Sequence, residues 1–266
     1  MPPKKSKMIK RNRGKYLRAK NQTVSLAVKQ YVKRTIHTKA ENKQINTQNL
    51  FSFGNAVANP SMYCFPITPY TGYGQITQGV QSSQRIGNEI KIRKVLLRYV
   101  LRPNAYNVDS NPFPAPVEVE MFLGHTRVCP SEIPAAADFN VLFQSGASSF
   151  GPGGALSDIV SSTNNDYWVI KKRWRHKIGY AGYNGSGSIA TAQYFNNNDF
   201  KLNVIKKLDI TKHCPKTLKF NDGNNTTTSR GLFLWLQAVS ASGGTNGSTV
   251  LPAAITYWVD IIYEDM

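Results

Sequence analysis

The sequence lacks features typical of membrane proteins and of disulfide-stabilised secreted proteins. No apolar run reaches the roughly 18 to 20 residues that a membrane span requires, and no apolar stretch follows the first charged residues. We therefore expect neither a membrane span nor a secretory signal. The 3 cysteines are widely spaced and odd in number, which favours reduced thiols over a disulfide framework.

Catalytic and cofactor motifs are also missing. The sequence has no glycine-rich phosphate loop, no Gly-x-Ser-x-Gly elbow and no Cys-x-x-Cys pair. The only residue pairs whose spacing suggests metal ligands are His125 with Cys129 and His213 beside Cys214. Acidic residues are mostly single and scattered, so no paired carboxylates are available for acid-base work. We predict a protein that is not an enzyme and that binds no metal or cofactor.

Acidic residues are almost absent from one end of the chain. Residues 1–43 hold 14 of the 33 Lys and Arg but a single acid, Glu41, whereas residues 44–266 hold 19 basic and 14 acidic residues. Charge segregated in this way indicates a polyanionic partner, because Lys and Arg that neutralise phosphates release condensed counterions. We call residues 1–43 the basic arm and residues 44–266 the body, and predict that they are separate domains.

The basic arm has two parts. Residues 2–20 contain few large apolar groups, so we expect them to be disordered when free. From Thr23 to Ile36, apolar residues recur at three-to-four spacing, which predicts a short amphipathic helix. This helix either packs as a core helix of the body or folds only against nucleic acid or a neighbouring subunit.

The cations of the basic arm are the first candidate binding residues. We predict that nucleic acid is contacted by Lys4, Lys5, Lys7, Lys10, Arg11, Arg13, Lys15, Arg18, Lys20, Lys29, Lys33 and Arg34. The first seven of these, from Lys4 to Lys15, also have the composition of a nuclear import signal. The alternative is that the arm is only a solvated charged tail.

The body is dominated by the period-two alternation that is typical of strands. Eight strands are predicted, at residues 45–53, 89–102, 117–127, 167–178, 202–211, 218–220, 230–239 and 255–263. A short helix is predicted over 134–143 and a surface loop over 145–165. Within 89–102 the alternation slips near Lys94, which predicts a β-bulge. The pattern favours an all-β fold, an eight-stranded antiparallel jelly-roll sandwich forming one domain.

The predicted strand 167–178 carries the second set of candidate binding residues. Strict alternation places the cations Lys171, Arg173, Arg175 and Lys177 on one side. Such a row repels itself unless anions lie over it, so we predict that it contacts nucleic acid, the alternative being a solvated polar face. Nearby aromatic residues that we expect to stack on unpaired bases are Tyr16, Tyr31, Tyr99 and Tyr167.

Taken together, three segments and the basic arm resemble the capsid proteins of the circovirus-like group of small circular single-stranded DNA (CRESS-DNA) viruses. The segments are KAENKQI at 39–45, RIGNEIKIRKVLLRYVL at 85–101 and ITYWVDIIYED at 255–265. The resemblance covers nearly the whole chain in order and charge layout. Residues 4–20 match the family's basic terminus, and Arg85 with Gly87 match the turn before its second long strand. The arm departs from the family in being richer in lysine than in arginine.

The resemblance implies a coat protein. Its jelly roll would assemble with copies of itself into an icosahedral shell, commonly of sixty subunits, around a single-stranded DNA genome. The implied partners also include a host nuclear import receptor and a host cell receptor, with no membrane, and the implied locations are the virion and the host nucleus. Two other functions fit the same composition: a non-capsid shuttle or movement protein that binds single-stranded nucleic acid, and the coat protein of an RNA virus.

Overall fold

The computed structural model describes most of the chain from Asn42 onward. The described residues are 42–54, 63–69, 75–81, 83–105, 109–111, 115–128, 133–184, 191–195, 199–221, 227–241 and 250–265, with the single positions 28, 31, 107, 223 and 225. The chain divides into two compact units, Met1–Glu41 and Asn42–Met266. In the first unit, Val28 and Tyr31 are helical, and the other positions of the predicted helix lie outside the described residues.

Strands account for most of the described residues of the second unit. They are β1 (Asn42–Phe53), β2 (Cys64–Pro66), β3 (Glu89–Pro103), β4 (Val117–Thr126), β5 (Phe143–Ser145), β6 (Ser148–Phe150), β7 (Ser162–Thr163), β8 (Trp168–Ile178), β9 (Tyr180–Asn184), β10 (Thr191–Phe195), β11 (Val204–Asp209), β12 (Thr217–Lys219), β13 (Phe233–Ser240) and β14 (Ala253–Asp265). Two short helices, α1 (Ala136–Phe139) and α2 (Leu156–Val160), and a 3-10 helix at Thr211–His213 connect them. Among the described residues, no helix is long and apolar enough to cross a membrane.

The strands form two main antiparallel sheets. In the first sheet the order is β1-β14-β3-β11, with β12 also paired to β3, and in the second it is β2-β13-β4-β8. The chain crosses repeatedly from one sheet to the other, so that its last strand pairs with its first. This is the strand order of two interlocked Greek keys, and the predicted all-β antiparallel jelly-roll sandwich is confirmed.

The core lies between the two sheets and follows the alternation of the sequence. On β3, Val95, Leu97, Tyr99 and Leu101 are all at most 1% exposed. The register against β14 shifts between Ile262 and Tyr263, where β3 holds one extra residue next to Lys94. The bulge predicted near Lys94 is therefore confirmed, because this extra residue allows both halves of β3 to face the core.

Two buried cations stabilise the turn that precedes β3. Arg85 is fully buried, donates to the carbonyl of Gly87 and to the side chain of Asn88, and lies 4.5 Å above the ring of Phe220. Lys43, also buried, donates to the carbonyl of Gln84 and pairs with Asp265 at 2.7 Å. The two cations hold the first strand, the turn and the last strand together.

The segment 136–163 covers the outer face of the second sheet. The ring of Phe139 packs on Trp235 at 5.4 Å between centroids, and Phe122 packs on Phe143 at 6.2 Å. Because this cover is present, every residue of β13 is buried. The expectation of a plain surface loop over 145–165 is wrong, because β6, α2 and β7 lie within it. The predicted helix over 134–143 is present but shorter, as α1.

Candidate nucleic-acid interface

The predicted row of cations on β8 is divided by a bulge. The register against β4 shifts between Leu123 and Gly124, where β8 holds Lys171 as an extra residue. Beyond the bulge, Arg173 pairs with Phe122, and Arg175 with Glu120, on the outer face of the sheet. The expectation that all four cations form one uninterrupted row is therefore wrong, because strict alternation ends at Lys171.

Arg173 is hydrogen-bonded to the segment 136–163, which covers the outer face of the second sheet. Its Nε donates to Oε1 of Glu120 at 2.5 Å, while its other nitrogens donate to the carbonyls of Ser161, Asp158 and Ile159 at 2.7 to 2.9 Å. Its guanidinium also lies 4.8 Å from the ring centroid of Phe122. These contacts fasten the segment 136–163 to the sheet.

The acid beneath Arg173 is one of the most buried charges of the described residues. Glu120 is 1% exposed and accepts a second hydrogen bond from Nε2 of Gln237 at 3.0 Å. Burial raises the pKa of Glu120, and the hydrogen bond and charge of Arg173 oppose that shift. The pair is part of the packing of the body.

The remaining cations of β8 are more exposed. Arg175 donates to the carbonyl of Ile159 at 3.0 Å and lies 3.6 Å from Glu118. Lys177 is exposed, with its Nζ 5.3 Å from the ring centroid of Phe200. Lys171 is exposed as well. The binding of nucleic acid by Lys171, Arg173, Arg175 and Lys177 stays a prediction, and the structure adds a role in folding for Arg173.

A signal for these pairs was present in the sequence. Glu118 and Glu120 alternate with apolar residues in the predicted strand 117–127, which placed both carboxylates on one face. The charges of β8 meet them because β4 and β8 are neighbours. Which strands are neighbours depends on the topology of the sheet. The alternation within each strand therefore did not show that Glu118 and Glu120 lie next to the cations of β8.

Two aromatic residues that we expected to stack on bases form contacts within the body instead. Tyr99 is 1% exposed, and its hydroxyl shares a 2.8 Å hydrogen bond with Nε2 of His176. Tyr167 donates its hydroxyl to Oδ1 of Asp138 at 2.5 Å. The expectation that strand aromatics point toward nucleic acid is wrong for Tyr99, because the core-facing half of β3 carries it.

The cations predicted in the basic arm lie outside the described residues. This applies to Lys4, Lys5, Lys7, Lys10, Arg11, Arg13, Lys15, Arg18, Lys20, Lys29, Lys33 and Arg34. Their roles in nucleic-acid binding and nuclear import stay predictions that follow from composition.

The outer face of the first sheet carries an aromatic and basic groove that sequence reasoning missed. The groove has a volume of about 420 Å³, and Trp258, Arg98, Lys207 and Ile205 are among its lining residues. Arg98 on β3 lies between two cross-strand neighbours, Trp258 on β14 and Lys207 on β11. We call this the Trp258 groove. A half-exposed indole between cations is a surface on which an unpaired base stacks.

The groove retains positive charge despite one acid partner. Arg98 donates to Asp260 at 2.7 Å, and Asn46 donates to the same carboxylate. Lys207 is exposed, and Ile205 is 73% exposed. Alternation along β3 places Arg98 on the face away from the core, but nothing in the sequence of the last strand identified Trp258 as its neighbour.

The described residues contain no group of three or more His, Cys, Asp or Glu that could hold a metal ion. Cys64 and Cys214 are buried free thiols, and burial raises the pKa of Cys214 to about 12. Cys129 lies outside the described residues.

Comparisons with known proteins give structural neighbours only. No protein-family model matches the chain, and no curated protein matches it by sequence. A chain of Desmodium yellow mottle tymovirus is 11% identical over 84% of this chain and 86% of its own, with a TM-score of 0.27. Merkel cell polyomavirus VP1 in complex with GD1a oligosaccharide is 9% identical over 84% and 94%, with a TM-score of 0.20. The mavirus penton protein is 8% identical over 84% and 99%, with a TM-score of 0.19.

These neighbours all come from viruses. At TM-scores this low the likeness carries no argument, so fold and function rest on the strand order and side chains of the chain itself.

Proposed function

We propose that this protein is a viral coat protein that assembles with copies of itself around a single-stranded DNA genome. The observation that carries the proposal is the net charge of +13 in residues 1–43, attached to a jelly-roll body. A single acid in the arm leaves nearly all of its cations available to an external polyanion. In this proposal the body tiles the shell and the arm contacts the genome.

The amount of charge suits packaging. Sixty arms of +13 would bring about 780 positive charges into a shell, enough to neutralise a substantial part of a genome of a thousand or more phosphates. Binding through phosphates positions a strand without reading its bases, so we expect little sequence preference. In the body, the Trp258 groove adds a place for base stacking, together with Lys171 and Lys177 as exposed cations.

Import into the host nucleus belongs to the same proposal. The lysines and arginines from Lys4 to Lys15 would bind an import receptor before assembly and phosphates after it, because both partners require accessible cations. Entry into the cell would use a host receptor that contacts the outside of the shell.

The test is whether the purified full chain forms particles and what they contain. The proposal predicts closed particles by negative-stain electron microscopy and sedimentation, with a nucleic-acid content that deoxyribonuclease digests after the shell is opened. Content digested only by ribonuclease would identify an RNA-virus coat protein instead. Small oligomers that bind oligonucleotides but never close into particles would identify a shuttle or movement protein.

A further inference from the structure

A second basic concavity lies away from the Trp258 groove. It is formed where the end of β4, the bulge of β8, the 3-10 helix and the segment before β13 meet, and has a volume of about 520 Å³. Its ionisable lining is His125, Lys171, Lys212, His213 and Arg230, together with the thiol of Cys214. No carboxylate lines it among the described residues. We call it the histidine cleft.

The three cations of the histidine cleft are not neutralised by the fold. Lys171, Lys212 and Arg230 are exposed, and none of them forms a salt bridge with a carboxylate in the described part of the chain. Arg173 and Arg175, which lie farther along β8, face Glu120 and Glu118. Like charges that converge without a counterion create a local potential that attracts anions.

His125 supplies a buried polar atom at the same place. It is 2% exposed, and its Nδ1 lies 2.8 Å from the carbonyl oxygen of Thr126. Because a carbonyl only accepts, Nδ1 carries the hydrogen, which leaves Nε2 of the neutral ring with a lone pair. This Nε2 is buried and has no hydrogen-bond partner among the described residues. A buried polar atom without a partner is uncommon and calls for a functional explanation.

We propose that the histidine cleft binds a tetrahedral oxyanion of the phosphate class, held by Lys171, Lys212 and Arg230 above the imidazole of His125. Inorganic phosphate and the phosphate groups of nucleotides share this chemistry. The proposal uses only residues of the body, so it does not depend on the role of the basic arm.

Binding should be coupled to protonation of the imidazoles. Burial lowers the pKa of His125, and the charges of Arg230, Lys171 and Arg127 lower it further. Burial also lowers the pKa of His213, with Lys212, Lys172 and Lys171 acting in the same direction. An anion in the cleft favours the charged imidazolium and raises both values. Protonation of the imidazoles adds positive charge to the cleft, so anion affinity should rise as the pH falls below about 7.

Sulfate is the sharpest probe, because its own charge does not change between pH 5 and 8. Calorimetric titration of the full chain with sodium sulfate, at ionic strength held constant with chloride, should give an affinity at least threefold higher at pH 5.5 than at pH 7.5. The double variant Lys212→Ser, Arg230→Ser should lose at least tenfold in affinity at both pH values. The matched control Lys201→Ser, Lys219→Ser removes two exposed lysines that line neither the histidine cleft nor the Trp258 groove, and should bind sulfate as the parent does. Equal affinities of the two double variants would overturn the site.

Proton uptake on sulfate binding tests the role of the imidazoles in the unaltered protein. Titrations at pH 6.5 in two buffers of different ionisation enthalpy report the protons taken up per sulfate bound. We expect net uptake, reduced in His125→Gln. Zero uptake by the unaltered protein would overturn the role of the imidazoles whether or not the variant folds.

A further comparison distinguishes the sources of the anion. Inorganic phosphate, thymidine 5′-monophosphate and a thymidine dinucleotide are titrated against the full chain and the Lys212→Ser, Arg230→Ser variant. Tighter binding of the nucleotides than of inorganic phosphate would identify a nucleic-acid or nucleotide phosphate, and equal binding a free phosphate. Particles devoid of nucleic acid would contradict the coat-protein proposal while leaving this result intact.

Discussion

The sandwich and the basic arm differ in how far acids of the same chain offset their cations. Lys43 pairs with Asp265, Arg98 with Asp260 and Arg173 with Glu120, so several cations of the sandwich are paired with carboxylates of the same chain. Apart from Lys43, the basic arm has 13 basic residues and only Glu41 to offset them. Part of the charge in the sandwich therefore serves the fold, whereas the arm carries far more cations than the acids of its own sequence can offset.

A similar contrast separates the two sheets. The outer face of the second sheet lies under the segment 136–163, which uses the guanidinium of Arg173 as an anchor. In the first sheet, the outer face displays the Trp258 groove instead. Mutations on the covered face of the second sheet should therefore reduce stability, whereas mutations on the open face of the first sheet should reduce binding.

The largest effect on stability is expected from removing Arg173. Arg173→Ser leaves the carboxylate of Glu120 buried without its charge partner, which should lower the free energy of unfolding by about 3 to 5 kcal/mol. Chemical denaturation followed by tryptophan fluorescence measures this loss. Adding Glu120→Gln to the same variant should recover part of it, because the uncompensated charge is gone.

Arg175→Ser is the matched control for this prediction. Arg175 is on the same strand and face but is 45% exposed and lies 3.6 Å from Glu118, so its loss should cost less than about 1 kcal/mol. Equal losses for the two variants would show that the contrast between buried and exposed pairs is false.

The variant Trp258→Ala tests whether the outer face of the first sheet binds nucleic acid. If the indole stacks on a base, its removal should weaken binding of an oligothymidine by about 1 to 3 kcal/mol, measured by fluorescence anisotropy at fixed salt. Leu50→Ala is the control, because Leu50 is 57% exposed on the outer side of the same sheet but lacks an aromatic ring. Unchanged affinity in Trp258→Ala would remove the groove from the binding surface.

The bulge of β8 can be tested through its partner on β4. A Cβ atom at Gly124 would lie 2.5 Å from the carbonyl oxygen of Val169 and 3.1 Å from Cα of Ile170, so Gly124→Ala must shift backbone. We expect a loss of about 1 to 3 kcal/mol in the free energy of unfolding. Gly153→Ala, where a Cβ meets only a side-chain oxygen at 3.4 Å, should be nearly neutral in the same denaturation assay.

The smallest predicted effect concerns pH. Burial lowers the pKa of His176 beside Tyr99, with Lys206 acting in the same direction, so the unfolded chain binds more protons than the native one. Stability from this histidine is present above its unfolded pKa and is lost as the pH falls through the folded value. The melting temperature should therefore fall by a few degrees between pH 7.5 and pH 5.5. A smaller fall in His176→Gln would assign the effect to this ring.

The sequence was a good guide wherever local alternation decides the structure. It predicted eight of the nine strands of the two main sheets and the bulge of β3 near Lys94, because core and solvent faces alternate along a strand. It missed β2, which has only 3 residues.

What the sequence could not predict depends on which strands become neighbours. The bulge at Lys171, the pair Arg173 with Glu120 and the meeting of Trp258 with Arg98 join residues that are distant along the chain. The cover of the second sheet was also missed, since its strands β6 and β7 have only 3 and 2 residues and show too little alternation.

The central claim, that the basic arm binds nucleic acid while the sandwich folds without it, is tested most directly by the salt dependence of oligothymidine binding. The affinities of the full chain and of a variant lacking residues 2–20 are measured across a range of salt concentrations, together with their melting temperatures. Deletion of nine cations should reduce the slope of log affinity against log salt by as much as about 6, with the melting temperature unchanged. An equal slope in the two proteins, or a truncated protein that melts far below the intact one, would contradict the claim.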